Sequence, residues 1–510
     1  MTTLRLVLRL ASYRPGLYVL YSERNASPIS ISSSISKLSF LSSLRTTVCR
    51  SFSAGSNKDN TEIVMDSESQ ESASTSLKRS ITIPVRPTVG SPFEALPQSP
   101  DRKPLSMWPG MYHSPVTDAL WKARSTICER LWPPPSIDGP APQKLITRTP
   151  QESRVSIVYG FTSDYILREQ YRNAWDECRV GRIMEDLDAL AGTIAVRHCS
   201  DDDHTTRPLL LVTASVDKIH LRKSITLDQD LRMSGAVIWV GRSSMAIRME
   251  IRQPSEGISE GQDPVALVAI FRFVARDSVT GKAAPVNQLS PQTDEEKSLF
   301  DQGKKFDEHQ KKRRLPRTDN SVKPVHNAER LKALLAEGRV LSDMPALADR
   351  NSLLIHETSL ENVHICQPQQ RNMHGRIFGG FLMRMAYELA FSTCYLFVGC
   401  RPLFVEVDRI DFLKPVDVGD FLRFKSRVLY TELDDPSKPL ISIEVVAHVT
   451  RPESRTSEVS NTFYFTFTID SKAEAEPGFM IRKVLPATEE EARRVLERYD
   501  ADHEELGIFG

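Results

Sequence analysis

The chain of 510 residues has no excess of charge of either sign, with Lys plus Arg and Asp plus Glu at 66 each. That balance removes the electrostatic case for nucleic acid or an anionic membrane surface as a partner. Cysteine is scarce: Cys49, Cys128, Cys178, Cys199, Cys366, Cys394 and Cys400 are scattered, odd in number and without a CxxC pair. A disulfide framework and a thiolate zinc site are thereby excluded, and a reducing compartment fits. Gly-x-Ser-x-Gly is absent, which argues against a serine acyl-enzyme. No apolar stretch reads as long enough to span a bilayer, and the early run at 4–10 is broken by Arg5 and Arg9. No integral membrane segment is expected.

What is present begins with an N-terminal address. Up to Lys58 the chain carries Arg5, Arg9, Arg14, Arg24, Arg45 and Arg50, many serines and a single acid, Glu23. Arg-rich, Ser-rich and acid-poor is the composition of an organelle transit peptide. The stretch Arg50-Ser51-Phe52-Ser53 looks like a matrix-processing site, so residues 1–52 are expected to direct the protein to the mitochondrial matrix. Residues 53–142 are polar, then Pro-rich, and lack the periodicity of packed elements except for a helix expected at 116–131.

The remainder repeats itself. Residues 215–225 read SVDKIHLRKSI and residues 406–416 read EVDRIDFLKPV. Each copy is followed by runs alternating with period two: Met245, Ile247, Met249 and Ile251 in the first, Ile441, Ile443, Val445 and Ala447 in the second. In the second copy Phe424, Val428 and Tyr430 alternate with Lys425, Arg427 and Leu429. Such alternation predicts antiparallel strands with one buried face. Upstream of each set lies one helical pattern, at 180–198 and 379–397, apolar around most of its circumference and therefore predicted to be buried. A buried helix wrapped by an antiparallel sheet, twice over, predicts an α+β fold of tandem hotdog domains, a pseudo-dimer within one chain. The expected boundaries are 143–290 for the first hotdog and 346–485 for the second. Between them, at 291–345, a charged linker helix should start at the capping box Thr293 to Glu296 and end near the basic cluster 311–314. A solvated C-terminal helix within 486–510 should open at Thr488.

These residues carry a family resemblance. REQYRNAWDECRVGRIMEDLDALAG, VDKIHL, FVARDSVTGKAAPVNQL, NMHGRIFGGFLMRMAYELAF and VDRIDFLKP occur in order. Over roughly residues 150–485 the chain resembles the mitochondrial double-hotdog acyl-CoA thioesterases of the type-9 branch. The resemblance implies hydrolysis of acyl-CoA to free acid and coenzyme A, with no metal or redox cofactor. It also implies assembly of the double hotdogs into homo-oligomers.

Thioester hydrolysis needs a positioned water, a base and donors for the developing oxyanion. Gly379-Gly380 at a helix start suits the last, because unpaired N–H groups and the positive helix end favour negative charge there. Close packing of glycine against a neighbour is the structural alternative. In the family pattern, Asn372 orients the water or thioester, and the His374-Gly375 segment contributes donors. The bland readings are a turn-forming Asn and a His bonded to a backbone carbonyl.

The family's base is a carboxylate on the central helix, with a site formed between two hotdogs. By register from the glycine this is Asp188. Asp186 competes, Glu185 is expected on a wetter face, and a salt bridge of Asp188 with Arg179 or Arg182 is the alternative. The halves are not equivalent. The first has Asn173 but no His-Gly-Gly; the second has the intact loop, but Tyr387 stands at the acid's position and Glu388 lies one residue beyond.

One competent site per chain is therefore expected from Asn372, His374, Gly380 and Asp188, with Asn173 and Glu388 forming a degenerate counterpart. Arg371, Arg376, Arg401 and Lys414 are candidates for coenzyme A phosphates, while Lys218 reads as a solvated strand residue. Two competing readings are a hotdog enoyl-CoA hydratase and a catalytically degenerate acyl-CoA-binding scaffold.

Overall fold

The structure, a computed structural model, describes residues 141–203, 206–254, 263–314, 324–372, 375–435, 438–470 and 479–503. The expected transit peptide, the helix at 116–131 and His374 lie outside the described residues.

Ten strands form one antiparallel sheet. The first half supplies β1 (Val155–Tyr159), β2 (Leu210–Leu221), β3 (Leu231–Val240), β4 (Ser244–Arg252) and β5 (Val265–Arg276). The second supplies β6 (Leu360–Ile365), β7 (Pro402–Phe412), β8 (Phe421–Glu432), β9 (Leu440–Arg451) and β10 (Thr456–Ile469). Their order is β1-β3-β4-β5-β2-β7-β10-β9-β8-β6, so the second half repeats the first in reverse. The seam is the repeated motif itself. Val216 lies opposite Ile410, and Ile219 opposite Val407. Because Val216 corresponds to Val407 and Ile219 to Ile410, this register is a local twofold. Joining β2 to β7 pairs two strands that would otherwise be sheet edges.

The central helices follow α1 (Tyr165–Tyr171): α2 (Val180–Cys199) in the first half and α5 (Gly379–Val398) in the second. They pack against one another and against their own strands. Ile183, Met184, Leu187, Leu190 and Ile194 of α2 meet fully buried Phe271 in the core, and Phe463, Phe465 and Phe467 of β10 are equally buried. By length and composition α5 is apolar enough to cross a membrane, contrary to the sequence expectation. Here it is a core helix: Phe381, Leu382, Met383, Ala386, Leu389 and Ala390 are buried against the sheet and α2. Leu429, expected on the outer face of β8, is buried because a bulge between Val428 and Tyr430 shifts the alternation.

Helices also cover the outer face of the sheet. Across the linker run α3 (Asp294–Arg314) and a second helix the sequence reading did not anticipate, α4 (Pro324–Asp343). The C-terminal helix is α6 (Glu489–Asp502), tied to α4 by Arg330–Asp500 at 2.9 Å. It is not simply solvated: Glu491, Ala492, Val495 and Arg498 are buried. The aspartates of the repeated Val-Asp motif anchor these covers. Arg272 on β5 bridges Asp217 at 3.3 Å and Asp307 of α3 at 2.8 Å. Arg498 of α6 reaches Asp408 at 2.8 Å. Lys218, expected to be solvated, is instead half-buried against Glu406 at 3.0 Å across the seam. There Lys218 and His220 hold the Glu406 carboxyl down at about 2 against its burial.

Candidate active site

The two Asn loops close through matching contacts at their ends. Asn173 Oδ1 accepts from Trp175 N at 2.8 Å and Glu177 N at 2.9 Å; Asn372 Oδ1 accepts from Arg376 N at 3.2 Å. Each loop closes with an isolated bridge, Arg172 to Cys178 and Arg371 to Ile377. The left-handed turn falls at matching positions, Asp176 (φ 61°) and Gly375 (φ 78°). Asx-type closure commits the Asn oxygen to the turn, so contact of Asn372 with a substrate falls to its Nδ2 donor. Arg371 and Arg376 flank this turn, and Arg376 lies 3.7 Å from Asp417.

Asp188 crosses from the first half to the helix start of the second. Its Oδ2 accepts the Gly380 N–H at 2.7 Å, and its Oδ1 accepts the Thr213 hydroxyl at 2.8 Å. The residue is 1% exposed. The bond it makes at the positive end of α5 supplies the favourable charge interaction that a buried carboxylate needs. Arg179 pairs with Glu388 at 3.1 Å, and Arg182 with Glu185 at 2.8 Å.

Gly380 thus differs from expectation, since its N–H is given to Asp188. A Cβ there would also meet the Glu185 backbone at 2.8 Å, so glycine is required by the close approach of α5 to α2. The amide of the preceding Gly379 has no acceptor among the described residues. Phe412 and the Asp188 carboxylate both converge beside its α-carbon.

Thr213 went unremarked in the sequence. The signal was available: extended upstream, the repeat sets Thr213 against Phe404, a polar residue against an aromatic at one inward position.

The reciprocal crevice is built from other chemistry. Tyr387 stands in register with Asp188 and lies against Gly181 as Asp188 lies against Gly379 and Gly380. Phe404, the counterpart of Thr213, packs edge-on to Tyr387 with centroids 5.5 Å apart. Trp175, at the position His374 holds in the other half, packs on Phe391 at 5.5 Å and Tyr395 at 5.8 Å. Glu388 is half-exposed and paired with Arg179. Arg401 bonds Glu177 of the first loop at 2.8 Å, which places it beside this crevice and not beside Asn372. Lys414 is tied to Glu458 at 2.7 Å.

The competing acids lie elsewhere. Asp186 turns into its own hotdog, accepting from Tyr159 at 2.9 Å and from Tyr171. Burial raises it to about 6 although Arg182 and both hydroxyls oppose the rise. Glu185 is not on a wet face: 8% exposed, it pairs with Arg182 and with Arg384 of α5 at 3.3 Å. Arg384 occupies the position equivalent to Glu185, so this buried contact marks the local twofold between the helices. Among the described residues, no three His, Cys, Asp or Glu side chains are grouped to hold a metal ion.

Two tandem hotdogs joined through a buried carboxylate at a helix N-terminus define a double-hotdog protein. Comparison narrows this class. A profile of the Thioesterase superfamily matches residues 180–259 and 374–432. The chain is 61% identical over 428 residues to the chloroplastic acyl-coenzyme A thioesterase 2 of Humulus lupulus, covering 82% of this chain and 97% of that one. It is 57% identical to the mitochondrial acyl-coenzyme A thioesterase 4 of the same plant, covering 82% and 79%. Against the human mitochondrial acyl-coenzyme A thioesterase 9 it is 36% identical, covering 65% and 73%. An acyl-CoA hydrolase from Staphylococcus aureus solved with butyryl coenzyme A is 25% identical, covering 33% of this chain and 91% of that one, with a TM-score of 0.28. The chain belongs to the acyl-CoA thioesterases.

Proposed function

We propose that this acyl-CoA thioesterase works through one competent site per chain, with Asp188 and Thr213 from the first half and the segment Asn372 to Gly380 from the second. The observation that carries this reading is the 2.7 Å contact of Asp188 with Gly380, which joins the two halves at a helix start. Asp188 draws a proton from a water that the Asn372 amide orients. The oxygen of that water adds to the thioester carbon, and the Gly379 N–H with the positive end of α5 receives the oxyanion. Collapse breaks the C–S bond; the sulfur leaves with the proton as coenzyme A thiol, and the acyl group leaves as free acid. Thr213 fixes the rotation of the carboxylate. Arg371 and Arg376 sit at the rim, where cations suit the phosphates of coenzyme A. These steps draw on side chains, backbone amides and water alone.

The test is thiol release by purified protein starting near Ser53. Asp188→Asn should abolish turnover and Glu388→Gln should spare it; the reverse pattern overturns the assignment. Hydration of an enoyl-CoA without thiol release would install the hydratase reading, and binding without either reaction the scaffold reading.

The mitochondrial matrix is the proposed location, supported by the Arg- and Ser-rich N-terminus. The plant and human relatives named above are mitochondrial or chloroplastic, so a fluorescent fusion appearing in plastids contradicts it. Self-association of double hotdogs is also proposed. It is supported by exposed Val363 and Ile365 on β6 and exposed Val158 on β1, the two sheet edges. A monomeric mass in light scattering contradicts it.

A further inference from the structure

Three irregularities of the second half converge on one ring beside the competent site. The first is in the backbone. Both seam strands carry a bulge in the repeated motif, between Val216 and Lys218 in β2 and between Asp408 and Asp411 in β7. Among the described residues of these strands only Arg409 turns left-handed, with φ 26°, and its side chain is tied to Asp411 at 2.9 Å. That conformation is strained for a residue other than glycine, and a bulge re-aims the side chains that follow it. The second is a buried amide. Asn461 of β10 is fully buried; its Nδ2 donates to the Asp411 carbonyl at 3.2 Å, and its Oδ1 has no hydrogen-bond partner among the described residues. A buried acceptor left unpaired is costly, so packing alone favours an apolar residue there, and the first half has Leu267. The third is the partner of that amide. Phe412 lies opposite Asn461 as Leu221 lies opposite Leu267. Phe412 is only partly buried, and a Cβ on Gly379 would meet its ring at 3.2 Å and Asp188 Oδ2 at 3.1 Å. The position of Gly379 is held by Val180 in the first half. A ring therefore meets a bare backbone in the competent crevice, where the register of the other sets leucine and valine.

We propose that Phe412 is a further residue of the competent site, screening the Gly379 amide from water as it meets the developing oxyanion, and that Asn461 is the positioning residue that holds this ring in place. The inference rests on the assignment of the oxyanion to Gly379 made above. A donor shielded from water stabilises developing charge more strongly than one that water also reaches. The bulge at Arg409 and the clamp of Asn461 on Asp411 fix the strand end from which the ring projects. The reciprocal crevice, which lacks the carboxylate, has leucine at both positions.

The experiment measures kcat and KM on one acyl-CoA, affinity for its thioether analogue and the thermal midpoint, all in the full mature chain. Phe412→Leu, which copies the first half, should lower kcat about tenfold, less than removal of an oxyanion donor itself. KM and affinity for the thioether, which develops no oxyanion, should stay within about twofold. Asn461→Leu should lower kcat about two- to fivefold at unchanged KM, because the ring is loosened and not removed. A purely structural Asn461 would move the thermal midpoint and leave kcat alone. This variant decides the matter if Phe412→Leu fails to fold. Unchanged kcat in Phe412→Leu, or a loss of thioether affinity as large as the loss of kcat, overturns the proposal. Unchanged kcat in Asn461→Leu overturns the role given to the amide. Asp188→Asn separates the two levels. If it is inactive while Phe412→Leu keeps full turnover, the screen is wrong and the site stands. If it is active, the site itself is wrong.

Discussion

Two crevices flank the contact of α2 with α5, related by the same local twofold and lined at the same positions, yet one is polar and the other aromatic. Asp188 and Thr213 face Gly380 across the first, where Tyr387 and Phe404 face Gly181 across the second. The exchange of Thr213 for Phe404 removes a hydroxyl, that of Asp188 for Tyr387 replaces a carboxylate by a phenol, and both add buried apolar area, which contributes roughly 25 cal/mol per Å² to stability. The second crevice has exchanged chemistry for packing. Its loop is also clasped to the opposite half by Arg179–Glu388 and Glu177–Arg401, while Arg376 of the Asn372 loop pairs with Asp417 of its own half. Duplication within one chain allows this division, because each copy can change without altering the other.

The comparison can be broken most forcefully at its polar member. Asp188→Asn keeps the size of the side chain and should lower kcat by about 10²–10⁴ on every acyl-CoA, the range for loss of a positioned base. Breaking the twofold contact acts on stability instead. Glu185→Gln leaves Arg182 and Arg384 buried beside a neutral amide and should cost about 3 kcal/mol or more, read as a lower denaturant midpoint. Thr213→Val should reduce kcat about tenfold with KM little changed, because a hydrogen bond to a carboxylate is lost.

A smaller effect concerns Asp186. Its folded value of about 6 lies above the ordinary 3.8, so the folded protein holds a proton that the unfolded chain releases. Its contribution to stability is full below about 3.8 and is lost as pH rises toward 6. Asp186→Asn should therefore flatten the decline in thermal midpoint over that window. Smallest of all, Glu388→Gln at the half-exposed pair should leave kcat within about twofold.

Much of this arrangement is legible in the sequence for physical reasons. Period-two runs and two apolar helices encode the hotdogs, and the register from Gly181 to Asp188 against Gly380 to Tyr387 exposes the inequality of the crevices. Other features depend on contacts distant in sequence. Glu185 reads as a surface acid until Arg384, far along the chain, is placed beside it. Leu429 reads as outward until a bulge is known. The hydrogen bond from Gly380 to Asp188 cannot be inferred from a glycine pair, which suits an oxyanion and a close helix crossing equally well. Nor does alternation in each half reveal that β2 and β7 fuse the two sheets.

The central claim is that the crevices differ in kind, and the stoichiometry of binding tests it most directly. Titration calorimetry of the wild-type chain with a non-hydrolysable thioether analogue of acyl-CoA should give one site per chain. Two equivalent sites per chain would contradict the account.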